Sequence, residues 1–320
     1  MLYRHPAQGT LIISEFLLNC VIALSLLLFA TNPSILAAQR SHSTPSPLSS
    51  GCNKSTPPTG LLTLSAKDGN GTARKYLLQV PADYDPHKTY SLVFAFHGWG
   101  GTAEGTRASG LQNAPGAASS ALFVFPQGIQ IGKDGVGWDD GAQGHDMPFF
   151  DNMLAAVESS YCIVKEEVFA AGFSWGGDFT TDLACDRGEI LRAVAVNSAT
   201  DDYKDSADYR TYVNYPCPGD RHPAVRFEHA VDADSAYPAP NFATTSHLFQ
   251  ALNHCESASD PSPSSSPQIS CRKFQGCSST YIECPFDKTI GHTIPPNWPQ
   301  DTWAFFASFR KPDRDSSHYR

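Results

Sequence analysis

The chain has 320 residues, 41% of them hydrophobic and 17% charged, and 23 Lys and Arg against 32 Asp and Glu give a formal net charge of −9. That length supplies a large core, and the ordinary apolar fraction excludes disorder over the whole chain. The acidic balance without a basic run excludes a nucleic-acid binder, because phosphate contacts need Lys and Arg, and 24 Gly and 24 Pro with no internal period exclude a coiled coil or helical repeat.

Residues 1–38 read as a secretory signal. Arg4 precedes the apolar run Phe16–Ala30, and small residues follow at Ala37 and Ala38. The rival reading is an uncleaved anchor over Leu11–Ala30, which Glu15 interrupts. Cleavage predicts a secreted protein with no stable membrane association. It also removes Cys20, leaving eight of nine cysteines, an even number that suits up to four disulfides in an oxidising compartment. No pair has C-x-x-C spacing, which argues against zinc. Residues 39–59 are rich in Ser, Thr and Pro and predict a flexible leader pinned at Cys52. Asn53-Lys-Ser and Asn70-Gly-Thr are glycosylation sequons, relevant if the host is eukaryotic.

Residues 60–310 predict one domain, followed by a polar tail over 311–320. Strands are expected at Arg74–Val80, Tyr90–Phe96 and Ala121–Phe125. Pro148–Tyr161 has helical spacing of Phe149, Phe150, Met153, Leu154 and Val157, with Asp146 placed to cap it. A strand over Glu167–Ala171 precedes a helix over Trp175–Cys185, and strands follow at Ala193–Asn197 and Ala224–His229. Phe242–Asn253 predicts a helix, Ser257–Gln268 a mobile loop, Thr280–Phe286 the last strand and Pro299–Phe309 the last helix. Short apolar strands alternating with helices predict an α/β fold, a mostly parallel sheet with helices on both faces. Its chemistry belongs at the C-terminal ends of the strands.

Gly172-Phe-Ser174-Trp-Gly176 is a G-x-S-x-G turn between a predicted strand and a predicted helix. Such a turn lifts the serine above the sheet as a nucleophile, and the following helix aims N–H groups at developing negative charge. Phe96-His-Gly-Trp-Gly-Gly101 follows an earlier strand. Its Trp99 backbone N–H and that of Trp175 are the expected oxyanion donors. The base must follow the acid in this fold, which leaves His247, His254, His292 and His318. The first two fall on a helix or its end and the last in the polar tail, so His292, in a loop just after the last strand, is the expected base. Asp232 or Asp234, after the Ala224–His229 strand, would orient it.

Together these stretches resemble the secreted feruloyl esterases of the carbohydrate esterase family 1 type, related to polyhydroxybutyrate-depolymerase-like esterases. The resemblance runs from Gly51 to Phe309 and includes Tyr76–Pro81, Pro126-Gln-Gly128, Gly137-Trp-Asp139, Phe149–Cys162 and Leu183-Ala-Cys185. It implies an α/β-hydrolase with no large lid domain, Ser-His-Asp catalysis and no cofactor or metal. It also implies an esterified plant polysaccharide or oligosaccharide as substrate, with hydroxycinnamates released. Acetylxylan and short-chain polyester esterases are the alternatives. The family's Asp-to-Tyr spacing selects Asp232, five residues before Tyr237, although His229-Ala-Val-Asp232 is one residue shorter than the usual His-Gly-x-x-Asp. Asp178 stands where an apolar residue usually follows the turn. Trp99, Trp138, Trp175 and Trp298 are the aromatics near the site, and an aromatic acyl group would stack on one or two of them, Trp138 and Trp298 being the expected contacts; core packing is the alternative for each.

Overall fold

The computed structural model describes residues 47–133, 135–139, 144–200, 217–231 and 239–311. The signal segment, the leader before Pro47, both candidate acids Asp232 and Asp234, and the tail beyond Lys311 lie outside them. In chain order the strands are β1 (Gly60–Lys67), β2 (Ala73–Val80), β3 (Tyr90–Phe96), β4 (Ala121–Pro126), β5 (Ile129–Ile131), β6 (Gly135–Gly137), β7 (Ile163–Phe173), β8 (Ala193–Asn197), β9 (Ala224–Ala230), β10 (Ser259–Ser262), β11 (Cys271–Phe274) and β12 (Tyr281–Phe286). The α-helices are α1 (Ala103–Ala108), α2 (Asp146–Ser160), α3 (Trp175–Asp186), α4 (Ala239–Leu252) and α5 (Trp298–Ala307).

Ten strands form one sheet in the order β1-β2-β4-β3-β7-β8-β9-β12-β11-β10. Pairing is parallel from β4 through β3, β7, β8 and β9 to β12. The outer pairs are antiparallel at both edges. β3, β4, β8 and β9 are buried along their whole length, which explains why the first three read as nearly continuous apolar runs, whereas β9 carries Arg226, Glu228 and His229 among its apolar residues. One core, on one face, joins Phe94, Phe96, Phe150, Phe179 and Phe249. The other face packs Phe123, Phe125, Phe169, Trp303 and Phe306. The chain is thus an α/β-hydrolase, as expected.

Several expectations need correction. Asp146 does not cap the helix from outside. α2 begins at Asp146 itself, which is fully buried and forms an ion pair with Arg74, also buried. The predicted mobile loop over Ser257–Gln268 contains β10, paired with β11. Cystines Cys255–Cys277 and Cys271–Cys284 close this region, and Asp301 accepts hydrogen bonds from Ser264 Oγ and Ser265 N–H, both at 3.1 Å. The described end of the leader is packed rather than free. Leu48 bridges to Val164, and buried Ser49 donates to Tyr161 O. Cys52–Cys162 and Cys185–Cys217 complete four disulfides, so every cysteine from Cys52 onward is paired. Among the described residues no helix is long and apolar enough to cross a membrane.

Candidate active site

β7 runs up the middle of the sheet and ends at Phe173. α3 starts one residue after Ser174. Ser174 makes the reversal at φ 54° and ψ −129°, a region that L-residues rarely adopt. The turn closes because its neighbours lack side chains. A Cβ at Gly172 would collide with the Gly176 carbonyl, and one at Gly176 with the carbonyls of Phe96 and His97. Ser174 is held from both sides. Its N–H donates to Asn197 O at 3.0 Å, and its carbonyl accepts from the N–H groups of Gly177 at 2.7 Å and Asp178 at 2.9 Å. With the backbone so fixed, the side chain meets His292, whose Nε2 lies 2.8 Å from Ser174 Oγ. His292 arrives from 118 residues away on the loop after β12, beyond a short 3-10 turn over Lys288–Ile290. Phe173 lies beside the imidazole, with ring centroids 5.0 Å apart.

The glycine-rich loop after β3 lies beside this pair. His97 is buried, and burial pushes its pKa down, favouring the neutral ring. Its hydrogen bonds assign the tautomer. Nδ1–H donates to Gly98 O at 2.7 Å, and Nε2 accepts from Gly128 N–H at 2.9 Å. The His97 carbonyl accepts from the Trp138 indole N–H at 2.8 Å. Gly100 N–H donates to Val136 O at 2.8 Å, tying the loop to the β5–β6 hairpin. His97 therefore shapes the loop, with both ring nitrogens engaged by backbone groups. Trp175 occupies the first position of α3, where the positive end of the helix dipole lies.

The two tryptophans expected to contact substrate are not presented to it. Trp138 is 1% exposed, stacks on Phe179 at 5.4 Å and braces His97. Trp298 is 2% exposed and belongs to the core on the other face of the sheet. Their residue type favoured either role, and packing decided for the core. The bracing by His97, Gly128 and Trp138 was missed by residue-level reasoning. The only signal was that Pro126-Gln-Gly128 and Gly137-Trp-Asp139 fell among the resembling stretches. Asp178 is also accounted for, since its Oδ1 accepts from Thr200 N–H at 2.7 Å. The carboxylate therefore ties the start of α3 to the chain beyond β8.

β9 leads toward the candidate acids, and buried charges fix its end. Arg226 donates to Glu228 Oε1 through Nε at 3.0 Å and Nη2 at 2.6 Å, and Nη2 also reaches Asp301 at 3.3 Å. Burial pushes the Glu228 carboxyl up, and Arg226 opposes this. On the other face, His229 Nε2 lies 3.0 Å from Glu283 Oε1, while Arg272 donates twice to Glu283 Oε2, at 2.8 and 2.6 Å. Burial alone would push the Glu283 carboxyl up, but hydrogen bonds from His229 and Arg272 outweigh it and hold the pKa at about 2. The last anchor is Val231 N–H to Phe286 O at 2.8 Å. Asp232 follows directly.

A sharp serine turn after a central parallel strand, with a histidine on its hydroxyl, is the arrangement of a serine hydrolase on an α/β-hydrolase fold. The comparisons with known proteins make this specific. A probable feruloyl esterase C of Aspergillus terreus is 33% identical over 273 residues, covering 81% of this chain and 90% of the relative. Feruloyl esterase C of Emericella nidulans is 31% identical over 271 residues, with the same coverage. Feruloyl esterase D of Neurospora crassa is 27% identical over 304 residues, covering 89% and 96%. The chain belongs to the feruloyl esterase family. No family model matches it. The fold is shared with an acetyl xylan esterase from Aspergillus awamori at TM-score 0.60 and 18% identity, covering 78% of this chain and 99% of that one. It is also shared with a ferulic acid esterase at TM-score 0.52 and 16% identity, covering 77% and 95%.

Two predictions follow from this geometry. Ser174→Ala keeps the backbone strain, whereas Ser174→Gly relieves it, at an entropic cost of about 0.5–1 kcal/mol against strain of about 1–3 kcal/mol. Urea unfolding should find Ser174→Gly more stable than Ser174→Ala by about 1 kcal/mol, with both inactive; equal stabilities would mean the turn stores no strain. The second concerns acid. A carboxyl held at about 2 against an ordinary 4.5 stabilises the fold fully above the ordinary value, and that stability is lost as pH falls toward 2. Glu283→Gln should flatten the loss of the unfolding midpoint between those pH values, and an unchanged slope would show that other groups set it.

Proposed function

We propose that the protein is a secreted feruloyl esterase that releases hydroxycinnamates from esterified plant cell-wall polysaccharide through an acyl-enzyme on Ser174. The observation that carries the reading is the 2.8 Å contact between Ser174 Oγ and His292 Nε2 at a strained strand-to-helix turn, in a chain akin to feruloyl esterases. Secretion is supported by the N-terminal signal pattern and by four disulfides, which persist in oxidising compartments.

For Nε2 to accept the Ser174 proton across 2.8 Å the imidazole is neutral, with its single N–H on Nδ1. Oγ attacks the ester carbon as Nε2 takes its proton. The carbonyl π electrons move to oxygen, and the backbone N–H groups of Trp99 and Trp175 stabilise that oxyanion. Collapse breaks the bond to the sugar oxygen, which leaves with the proton from His292. The acyl group is then esterified to Ser174. Water attacks it with His292 as base again, releasing the free acid and restoring the hydroxyl. Asp232 accepts from Nδ1–H and stabilises the imidazolium that forms twice per turnover.

Release of ferulic acid from methyl ferulate and from feruloylated arabinoxylan tests the substrate class. Release of acetate from acetylated xylan without any ferulic acid would place the chain with the acetylxylan esterases instead. Asp232→Asn should lower kcat by on the order of 10⁴-fold, and Asp234→Asn should leave turnover nearly intact. The reverse result would make Asp234 the acid.

A further inference from the structure

Among the described residues the exposed large hydrophobic side chains are Leu61, Leu64, Trp99 and Val231. The two leucines lie on β1, at the sheet edge farthest from β9 on that side of the nucleophile strand. Trp99 and Val231 both lie just past the C-terminal ends of strands, β3 and β9, on either side of β7. They therefore stand at the catalytic edge of the sheet. Trp99 is the more exposed, at 67%.

Its position is set by the backbone on both sides. Gly98 lies against the nucleophile, since a Cβ there would sit 3.1 Å from Ser174 Cβ. The indole itself extends over Gly135 of β6. A Cβ built on Gly135 would be 2.7 Å from Trp99 Nε1, 3.2 Å from Cε2 and 3.5 Å from Cδ1. These are atoms of the pyrrole edge, so the ring is seated by that edge on a residue with no side chain, at φ 107°. Gly100 N–H, held by Val136 O, keeps the loop on the same hairpin. β3 is the direct neighbour of β7 in the sheet, so the loop that carries Trp99 emerges beside the nucleophile strand.

We propose that the exposed Trp99 indole is a specificity-determining platform for the sugar that carries the ester, and that the aromatic acyl group is recognised elsewhere. The proposal rests on the feruloyl-ester reading above. The choice between the two ends of the substrate follows from solvation. A sugar ring has one face of C–H groups and a rim of hydroxyls that stay hydrated. An aromatic ring anchored by one edge and two-thirds open to water suits it. A phenolic acyl group gains most from enclosure on both faces, which a ring two-thirds exposed does not offer.

The test compares two esters with the same acyl group, methyl ferulate and a feruloylated arabinoxylo-oligosaccharide, in wild type, Trp99→Ala and Trp99→Phe. The methyl ester reports any disturbance of the loop, and the oligosaccharide reports that disturbance together with sugar binding. Trp99→Ala should lose about 5–10-fold more kcat/KM on the oligosaccharide than on methyl ferulate. The excess should lie in KM, and Trp99→Phe should recover part of it. Equal losses on both esters, a larger loss on methyl ferulate, or no loss on either would overturn the platform while leaving the esterase reading intact. A wild type inactive on both esters would overturn both readings.

Discussion

A serine held at φ 54° and ψ −129° costs about 1–3 kcal/mol in backbone strain, and the chain around Ser174 is arranged so that this residue has no relaxed alternative. β7 delivers it from the fully buried centre of the sheet, and α3 departs from it at once. Asn197 of the neighbouring strand holds its N–H, and the first turn of α3 holds its carbonyl. The compact turn puts the hydroxyl above the strand ends, the one place where a loop from the far end of the sequence can bring an imidazole to it. If the turn relaxed, the 2.8 Å contact with His292 would have no fixed partner.

The neighbouring loop repeats this logic with a side chain in place of strain. His97 looks like a catalytic histidine by type, but both ring nitrogens are engaged by backbone groups and its carbonyl is engaged by Trp138. It ties the loop after β3 to the segments after β4 and β6. Oxyanion donors act by standing in place before charge develops, so rigidity here is chemically useful. On the other flank, buried charges fix β9 through Arg226, Glu228 and Asp301 on one face and His229, Glu283 and Arg272 on the other. Such networks are costly to assemble and severe to break, because losing one partner strands a buried charge.

The parallel centre of the sheet was legible because doubly covered strands are mostly apolar, as Tyr90–Phe96 and Ala193–Asn197 are. The strained serine turn was legible because it needs glycines at Gly172 and Gly176, and the histidine that meets Ser174 because the residue order proposed for the site leaves few places for it. The edges were not legible. β1 is largely exposed and shows no clean alternation, and β10 is built from Ser-Asp-Pro-Ser, a composition that reads as loop but pairs with β11 in a region closed by two disulfides. Nor does residue type reveal which tryptophan faces water. Trp138 and Trp298 are core residues and Trp99 is open, a distinction made by packing across distant segments.

The central claim is that Ser174, activated by His292, is the nucleophile. Titration with a fluorophosphonate, followed by mass mapping of the peptides, tests it directly. The account predicts one adduct per chain, on Ser174, with esterase activity lost in proportion to labelling, and no adduct on the His292→Ala protein at the same exposure. Inactivated protein with Ser174 unmodified, or fully labelled Ser174 with turnover intact, would contradict it.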